Sequence, residues 1–323
     1  MKKILVVFTG GTFSMMIDEK TGGAIPRYSG SELLGMIPQA KSLAEIECFD
    51  FGKYPGPHVT PELMLDLSKK INYKLKSGNY DGVVVTHGTD TLEETAYFLD
   101  LTIKTEIPIV VIGAMKNSSE PDWDGPKNLI DAIQICLNDN SKNLGVLVCL
   151  NGEINAASEV TKIYSDSVES FKSLDFGSLG FVQNGRVIFN RLPRHLETIE
   201  TEKINTNVDL LTVYAGMDAK FFKFSADSGA EGIVVEALGV GNVPPPAFEG
   251  IKYAVEKGIP VVLTSRCPAG ETDDVYSYPG AGKHLHNLGV IFSDYLNGQK
   301  ARIKLMIVLG LTNKLDDIRK YFE

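Results

Sequence analysis

Short, nearly continuous apolar runs punctuate the first two-thirds of the chain. Residues 4–8, 82–86, 108–113 and 144–150 are rich in β-branched side chains and show little alternation. Strands covered on both faces, as in a parallel sheet, have this pattern. Between the runs the apolar period becomes helical. Thr60-Pro61-Glu62 joins a capping residue, a proline suited to the first turn and an acid near the positive end of the helix dipole. Leu63, Leu67, Ile71 and Leu75 follow at helical spacing. Thr91-Leu92-Glu93-Glu94 has capping-box form and predicts a helix to about Leu101. Residues 127–137 predict a third. Strands alternating with helices imply right-handed crossovers and an α/β fold with a doubly wound, mostly parallel sheet of flavodoxin/Rossmann-like type.

Near residues 181–190 the pattern changes. Gln183-Asn184-Gly185-Arg186 between apolar positions predicts a hairpin. Residues 191–207 are polar and without period, and read as a linker. A second, smaller α/β set follows. Its strands are predicted at 208–214, 232–238 and 260–265, its helices at 246–257, 299–309 and 314–322. The predicted organisation is an N-terminal α/β catalytic domain (1–190), a linker (191–207) and a C-terminal α/β domain (208–323).

The length of 323 residues fits two domains. A net charge of −9 argues against a general nucleic-acid binder, because phosphate contacts need clustered cations. No apolar run approaches the roughly 18–20 residues that span a bilayer. Only five apolar residues separate Lys3 from Thr9, too few for a secretory segment. The expected location is therefore the cytoplasm, with no membrane partner. Cys48, Cys136, Cys149 and Cys267 are far apart and read as buried free thiols.

In open α/β sheets, ligands bind beyond the carboxyl ends of the strands. The first strand ends in Thr9-Gly10-Gly11-Thr12. Two glycines allow a tight turn and close approach of N–H groups to a ligand. Thr12 is either a nucleophile with oxyanion donors beside it or a capping residue in a tight turn. Another run ends in Thr86-His87-Gly88-Thr89-Asp90-Thr91 before a helix start, a place suited to a carboxylate or an oxyanion. Asp90 either meets a substrate ammonium or caps the helix; His87 reads as structural. The pair His284 and His286 is expected on one face of a strand, with no third ligand in view, so no metal is expected. No cofactor is implied.

Together these motifs, with Glu93-Glu94-Thr95-Ala96-Tyr97-Phe98-Leu99, Gly113-Ala114-Met115, Asp124-Gly125, Asn128-Leu129 and Gly152-Glu153-Ile154, resemble the bacterial-type L-asparaginase family. So do Thr161-Lys162 with Phe171-Lys172-Ser173, and Asn297-Gly298-Gln299-Lys300-Ala301-Arg302. The likeness spans nearly the whole chain in order. Cys267-Pro268-Ala269-Gly270 and Gly282-Lys283-His284-Leu285 are most similar to the cytoplasmic type I branch.

The resemblance implies hydrolysis of L-asparagine to L-aspartate and ammonia through an acyl-enzyme. Thr12 would be the nucleophile, with Thr89, Asp90 and Lys162 as a second polar group. Lys162 alone reads as a surface charge, and only the resemblance assigns it to the site. Burial would help it act as a base and a neighbouring Asp90 would oppose that. Gly11 and Gly88 are implied as backbone donors, and Ala114 and Asn242 as substrate contacts. Asn242 would reach across subunits of a homodimer or homotetramer; the alternative is a turn residue in left-handed geometry.

Two segments depart from the family's pattern. A serine expected to hold the substrate α-carboxylate is replaced by Gly56-Pro57-His58. Gly56 and His58 could supply N–H groups, or His58 could be an exposed loop residue. The family's lid tyrosine is replaced near Ala24. Tyr28 either substitutes for it in a mobile loop over residues 15–29, hinged at Gly22-Gly23, or packs its ring at the loop base. Two other functions fit the scaffold. One is an ammonia-releasing component of an amidotransferase, against which the start at the first strand counts. The other is a non-catalytic amino-acid sensor, against which the intact Thr12, Thr89, Asp90 and Lys162 count.

Overall fold

The computed structural model describes residues 1–322. Two units separate between Glu200 and Thr201.

The first unit runs β1 (Lys3–Gly10), β2 (Met15–Ile17), β3 (Ala24–Pro26), α1 (Gly30–Met36), α2 (Pro38–Leu43), β4 (Glu45–Tyr54), α3 (Pro61–Ser77), β5 (Gly82–Thr86), α4 (Leu92–Thr102), β6 (Ile109–Ile112), α5 (Gly125–Leu137), β7 (Val146–Leu150), β8 (Glu153–Ala156), β9 (Thr161–Lys162), β10 (Phe171–Lys172), β11 (Gly180–Gln183) and β12 (Arg186–Phe189). Its main sheet has the order β12-β11-β8-β7-β6-β5-β1-β4. Strands β4, β1, β5, β6 and β7 are parallel; β8, β11 and β12 join antiparallel.

The strand period of two divides this core. Ile4, Val6 and Phe8 of β1 face one side, where α1, α2 and α5 contribute Leu33, Ala40 and Leu129. Leu5 and Val7 face the other, against Leu67 of α3 and Ala96 of α4. Both faces are covered, which is why the central strands read as unbroken apolar runs. Strand β4 is an edge strand and alternates polar with apolar residues, so that pattern passes over it. The predicted hairpin is present: Asn184 (φ 51°) and Gly185 (φ 74°) both take positive φ, as a two-residue primed turn requires. The stretch read as a linker is partly attached. Ile199 is buried and its N–H donates to Leu101 O at 2.6 Å, within the first unit.

The second unit contains β13 (Val208–Thr212), α6 (Lys220–Asp227), β14 (Gly232–Ala237), α7 (Pro245–Glu256), β15 (Val261–Ser265), α8 (Gly282–Leu288), β16 (Ile291–Phe292), α9 (Gly298–Leu309) and α10 (Leu315–Arg319). Its sheet, in the order β13-β14-β15-β16, is parallel throughout. His284 and His286 lie on α8, not on a strand. At about 100° per residue they project some 200° apart and share no face. His286 Nδ1 pairs with Asp274 Oδ2 at 2.6 Å, while the His284 ring packs edge-on to Phe248. Cys136 and Cys149 are buried as expected, whereas Cys48 is half-buried and Cys267 is exposed. Among the described residues no group of three His, Cys, Asp or Glu is placed to hold a metal, and no helix is long and apolar enough to cross a membrane.

Candidate active site

Two turns at neighbouring strand ends form the floor of the site. After β1, Gly10 (φ 113°) and Gly11 (φ 71°) occupy backbone space that L side chains rarely enter, and a single 3-10 turn over Thr12–Ser14 follows. Gly11 N donates to Tyr54 O at 2.9 Å and Ser14 N to Gly11 O at 3.0 Å. Phe13 is fully buried against Phe8 and Trp123 and anchors the turn, leaving Thr12 half-buried beside it.

After β5, His87 shapes the second turn. Its Nδ1 lies 2.8 Å from Gly88 O and its Nε2 lies 2.9 Å from Thr95 Oγ1. Burial pushes its pKa down to about 4, so the ring is neutral at pH 7. The neutral ring donates through Nδ1 and accepts through Nε2. His87 is thus structural, as expected.

Gly11, Gly88 and Gly56 stack main chain on main chain. A Cβ on Gly11 would fall on the Gly88 backbone, and one on Gly88 would lie 2.7 Å from Gly56 Cα. This packing places the Thr12 and Thr89 turns side by side and brings the loop from residue 55 to 59 against them. Thr91 tightens the same arrangement. Its hydroxyl donates to Gly56 O at 2.8 Å and makes no cap bond to α4, so the predicted capping box does not form. The helix start is instead committed to the site.

Lys162 reaches this floor from β9. Its Nζ is 3.0 Å from Thr89 Oγ1 and 2.8 Å from Asp90 Oδ1. Thr89 and Lys162 are largely enclosed, at 7% residue exposure and 14% side-chain exposure, whereas the Asp90 side chain is 59% exposed. A cation donating to a hydroxyl oxygen favours the oxyanion left when the proton departs. The open side of Asp90 leaves carboxylate oxygen able to accept from a further cation.

Ala114 is buried at the end of β6, and a Cβ on neighbouring Gly113 would lie 2.8 Å from Thr89 Cγ2, so this segment also borders Thr89. Asp124 holds it, accepting from Met115 N at 3.1 Å and Lys116 N at 3.0 Å. In the 55–59 loop Gly56 is buried, while Pro57 and His58 are exposed. Tyr28 packs against the first unit's core, and its N–H donates to Ser14 O at 3.2 Å. The loop expected to be mobile contains the antiparallel hairpin β2–β3, with Gly22 (φ 70°) and Gly23 at its tip rather than at its base. Asn242 lies in the second unit, bridged to Leu238, and its Oδ1 is buried without a partner among the described residues. The left-handed positions there belong to Gly239 and Gly241, so Asn242 is not a left-handed turn residue.

The structure therefore brings Gly11, Gly56, Gly88, Thr89, Asp90, Ala114 and Lys162 to one place, with Thr12 in the adjoining turn. Two further residues, Thr91 and Glu93, bind the segments carrying these groups, and the spacing of polar residues gave no sign of either role.

Residues 3–195 match the family described as Asparaginase, N-terminal, and residues 207–322 match Glutaminase/Asparaginase C-terminal domain. The chain is 36% identical to a probable periplasmic L-asparaginase of Haemophilus influenzae, over 99% of this chain and 92% of that one. It is 30% identical to a component of the glutamyl-tRNA(Gln) amidotransferase of Methanobrevibacter smithii, over 99% of this chain and 74% of that one. The solved structure of a probable cytoplasmic L-asparaginase from Campylobacter jejuni superposes with a TM-score of 0.89 at 35% identity, covering 100% of this chain and 99% of the other.

Proposed function

Because this chain belongs to the asparaginase family, we propose that it hydrolyses L-asparagine to L-aspartate and ammonia by way of an ester on a threonine. The observation that carries this reading is the Thr89–Lys162–Asp90 cluster beside the Thr12 turn. Thr12 Oγ attacks the side-chain carboxamide carbon and its proton goes to solvent or a base. The carbonyl oxygen takes the negative charge, against backbone N–H groups of Gly11 and Gly88. The C–N bond breaks, the nitrogen gains a proton and ammonia leaves. Water, activated at Thr89 by Lys162, then attacks the ester carbon and releases aspartate and the free Thr12 hydroxyl. Asp90 binds the substrate ammonium, and the 55–59 loop with His58 holds the α-carboxylate. Tyr28, which follows the β2–β3 hairpin, orients Thr12.

The hydrogen bond from Lys162 to Thr89 favours a second reading of the order, in which Thr89 attacks first and Thr12 serves the water. Mass spectrometry of an acid-quenched turnover mixture, locating the ester on Thr12 or Thr89, separates the two. The amidotransferase alternative is the weaker one, since the L-asparaginase relatives are more similar to this chain.

The working unit is a homodimer or homotetramer in the cytoplasm, the location named for the Campylobacter relative, with Asn242 completing a neighbouring protomer's site. The test is ammonia release from Asn, Gln, D-Asn and N-acetyl-Asn by the wild type and Thr12→Ala. Release from Asn that falls at least about 10³-fold in the variant is expected, the scale of losing a nucleophile. No release from any of the four, with Asn still bound, would leave a sensor or a partner-dependent enzyme.

A further inference from the structure

We infer that Glu93 is a positioning residue for this active site, holding the main chain of Lys162 so that its Nζ rests against Thr89. The inference depends on Lys162 and Thr89 acting in the site as proposed above.

Glu93 stands in the first turn of α4 and is only 5% exposed. Carboxylates are rarely buried so far unless they are paired. Its Oε1 accepts from Thr161 Oγ1 at 3.1 Å and from Lys162 N at 3.3 Å. These contacts fall on a short segment whose flanking Val160 and Phe171 are buried in the core. Strand β9 is two residues long and pairs only with β10, through Phe171↔Lys162 and Lys172↔Thr161. The ribbon is thus seated on the core, but its two residue pairs alone do not fix the Lys162 main chain against α4. Glu93 ties it to a helix anchored in the core, where Leu92, Ala96 and Leu99 are fully buried.

The other end of Lys162 meets the same short segment. Its Nζ contacts Thr89 and Asp90, four and three residues before Glu93. Main chain and ammonium are therefore both referenced to residues 89–93. A lysine has a long flexible stem and no fixed fork geometry. Fixing its Cα relative to its target is how such a side chain is aimed. Without that tether the Lys162 main chain loses its direct bond to the helix that follows Thr89, and catalytic geometry is sensitive to displacements of about 1 Å.

The test compares Glu93→Ala, Glu93→Gln and Thr161→Val in the full chain, alone and combined with Lys162→Met, by steady-state ammonia release from Asn. Glu93→Ala is expected to lower kcat about 30- to 100-fold, with KM within about threefold. Glu93→Gln keeps an oxygen able to accept from both donors and should stay within about fivefold of wild type. Thr161→Val removes one of the two bonds and should fall between them. In the Lys162→Met background Glu93→Ala should add less than about twofold, because no Nζ remains to be aimed.

Equal losses with and without Lys162, a rise in KM matching the fall in kcat, or a lowered Tm with unchanged kcat would each overturn the inference. So would a Glu93→Gln variant as impaired as Glu93→Ala, which would place the effect in charge rather than in the hydrogen bonds. If Glu93→Ala does not fold, Glu93→Gln and Thr161→Val decide, since Thr161 is only partly buried. An active Lys162→Met would instead refute the site assignment itself, a result distinct from an inactive Lys162→Met beside an active Glu93→Ala.

Discussion

The Thr12 turn and the Thr89 turn present the same chemical group at neighbouring strand ends, yet they are built differently. Thr12 follows two glycines in left-handed geometry, sits half-buried in a 3-10 turn, and leads directly into the β2–β3 hairpin. Thr89 is enclosed, bonded to Lys162, preceded by a buried neutral histidine and followed by an eleven-residue helix. One hydroxyl stands half-buried ahead of a surface hairpin and the other in an enclosed polar frame. A two-step reaction can use such a division. In the proposed reaction the more accessible hydroxyl would meet the entering substrate, and the enclosed one would serve the water.

Removing the cation should strike the enclosed side alone. Lys162→Met is expected to lower turnover about 10²-fold, the scale of a general acid–base contribution. If Thr12 attacks and Lys162 serves only the water step, the variant should give a burst of ammonia equal to the enzyme, then a slow phase, in rapid-quench experiments. No burst would mean that both steps need Lys162, and the division would fail.

Acid should also affect the Thr89 side first. The pKa of His87 is lowered to about 4 by burial, from an unfolded value near 6.5. The folded state therefore resists the proton that the unfolded chain takes up. The His87 contribution is complete above about pH 6.5, shrinks as pH falls, and levels off below about 4. Between pH 7 and pH 4.5 it should remove about 2–3 kcal/mol. Urea unfolding at both pH values should show that loss in the wild type and its absence in His87→Gln. Identical pH slopes would remove His87 from the account.

A smaller effect is expected where the two turns touch. Gly88→Ala puts a methyl 2.7 Å from Gly56 Cα and 3.4 Å from Gly11 Cα. Backbone neighbours yield poorly, so a stability loss of about 1–3 kcal/mol should accompany a raised KM. Differential scanning fluorimetry and Asn titration would check it; an unchanged Tm would mean that the stack is looser than its spacing.

What the sequence disclosed follows from the same physics. Strands β1, β5, β6 and β7 were legible because burial on both faces forces continuous apolar runs, and β4 was not because an edge strand alternates. His284 and His286 were misplaced because a short alternating segment looks alike on a strand and a helix. Thr91 was read as a cap because nothing local shows that its hydroxyl turns to Gly56, thirty-five residues back. Lys162 was singled out only through family resemblance, since its place depends on a two-residue strand and on partners more than seventy residues away.

The glycine stack has a consequence for how the protein comes into being. Gly11, Gly56 and Gly88 belong to three successive crossovers of the sheet, and Lys162 arrives only with a fourth segment. No local stretch of chain contains even half of the residues gathered there. A partly folded molecule would lack the proposed recognition surface, because it is closed by contacts of high sequence separation. With the site placed as proposed, ligand binding is then linked to the completed first unit. Added asparagine or aspartate should slow its global unfolding and leave the early steps of its folding unchanged.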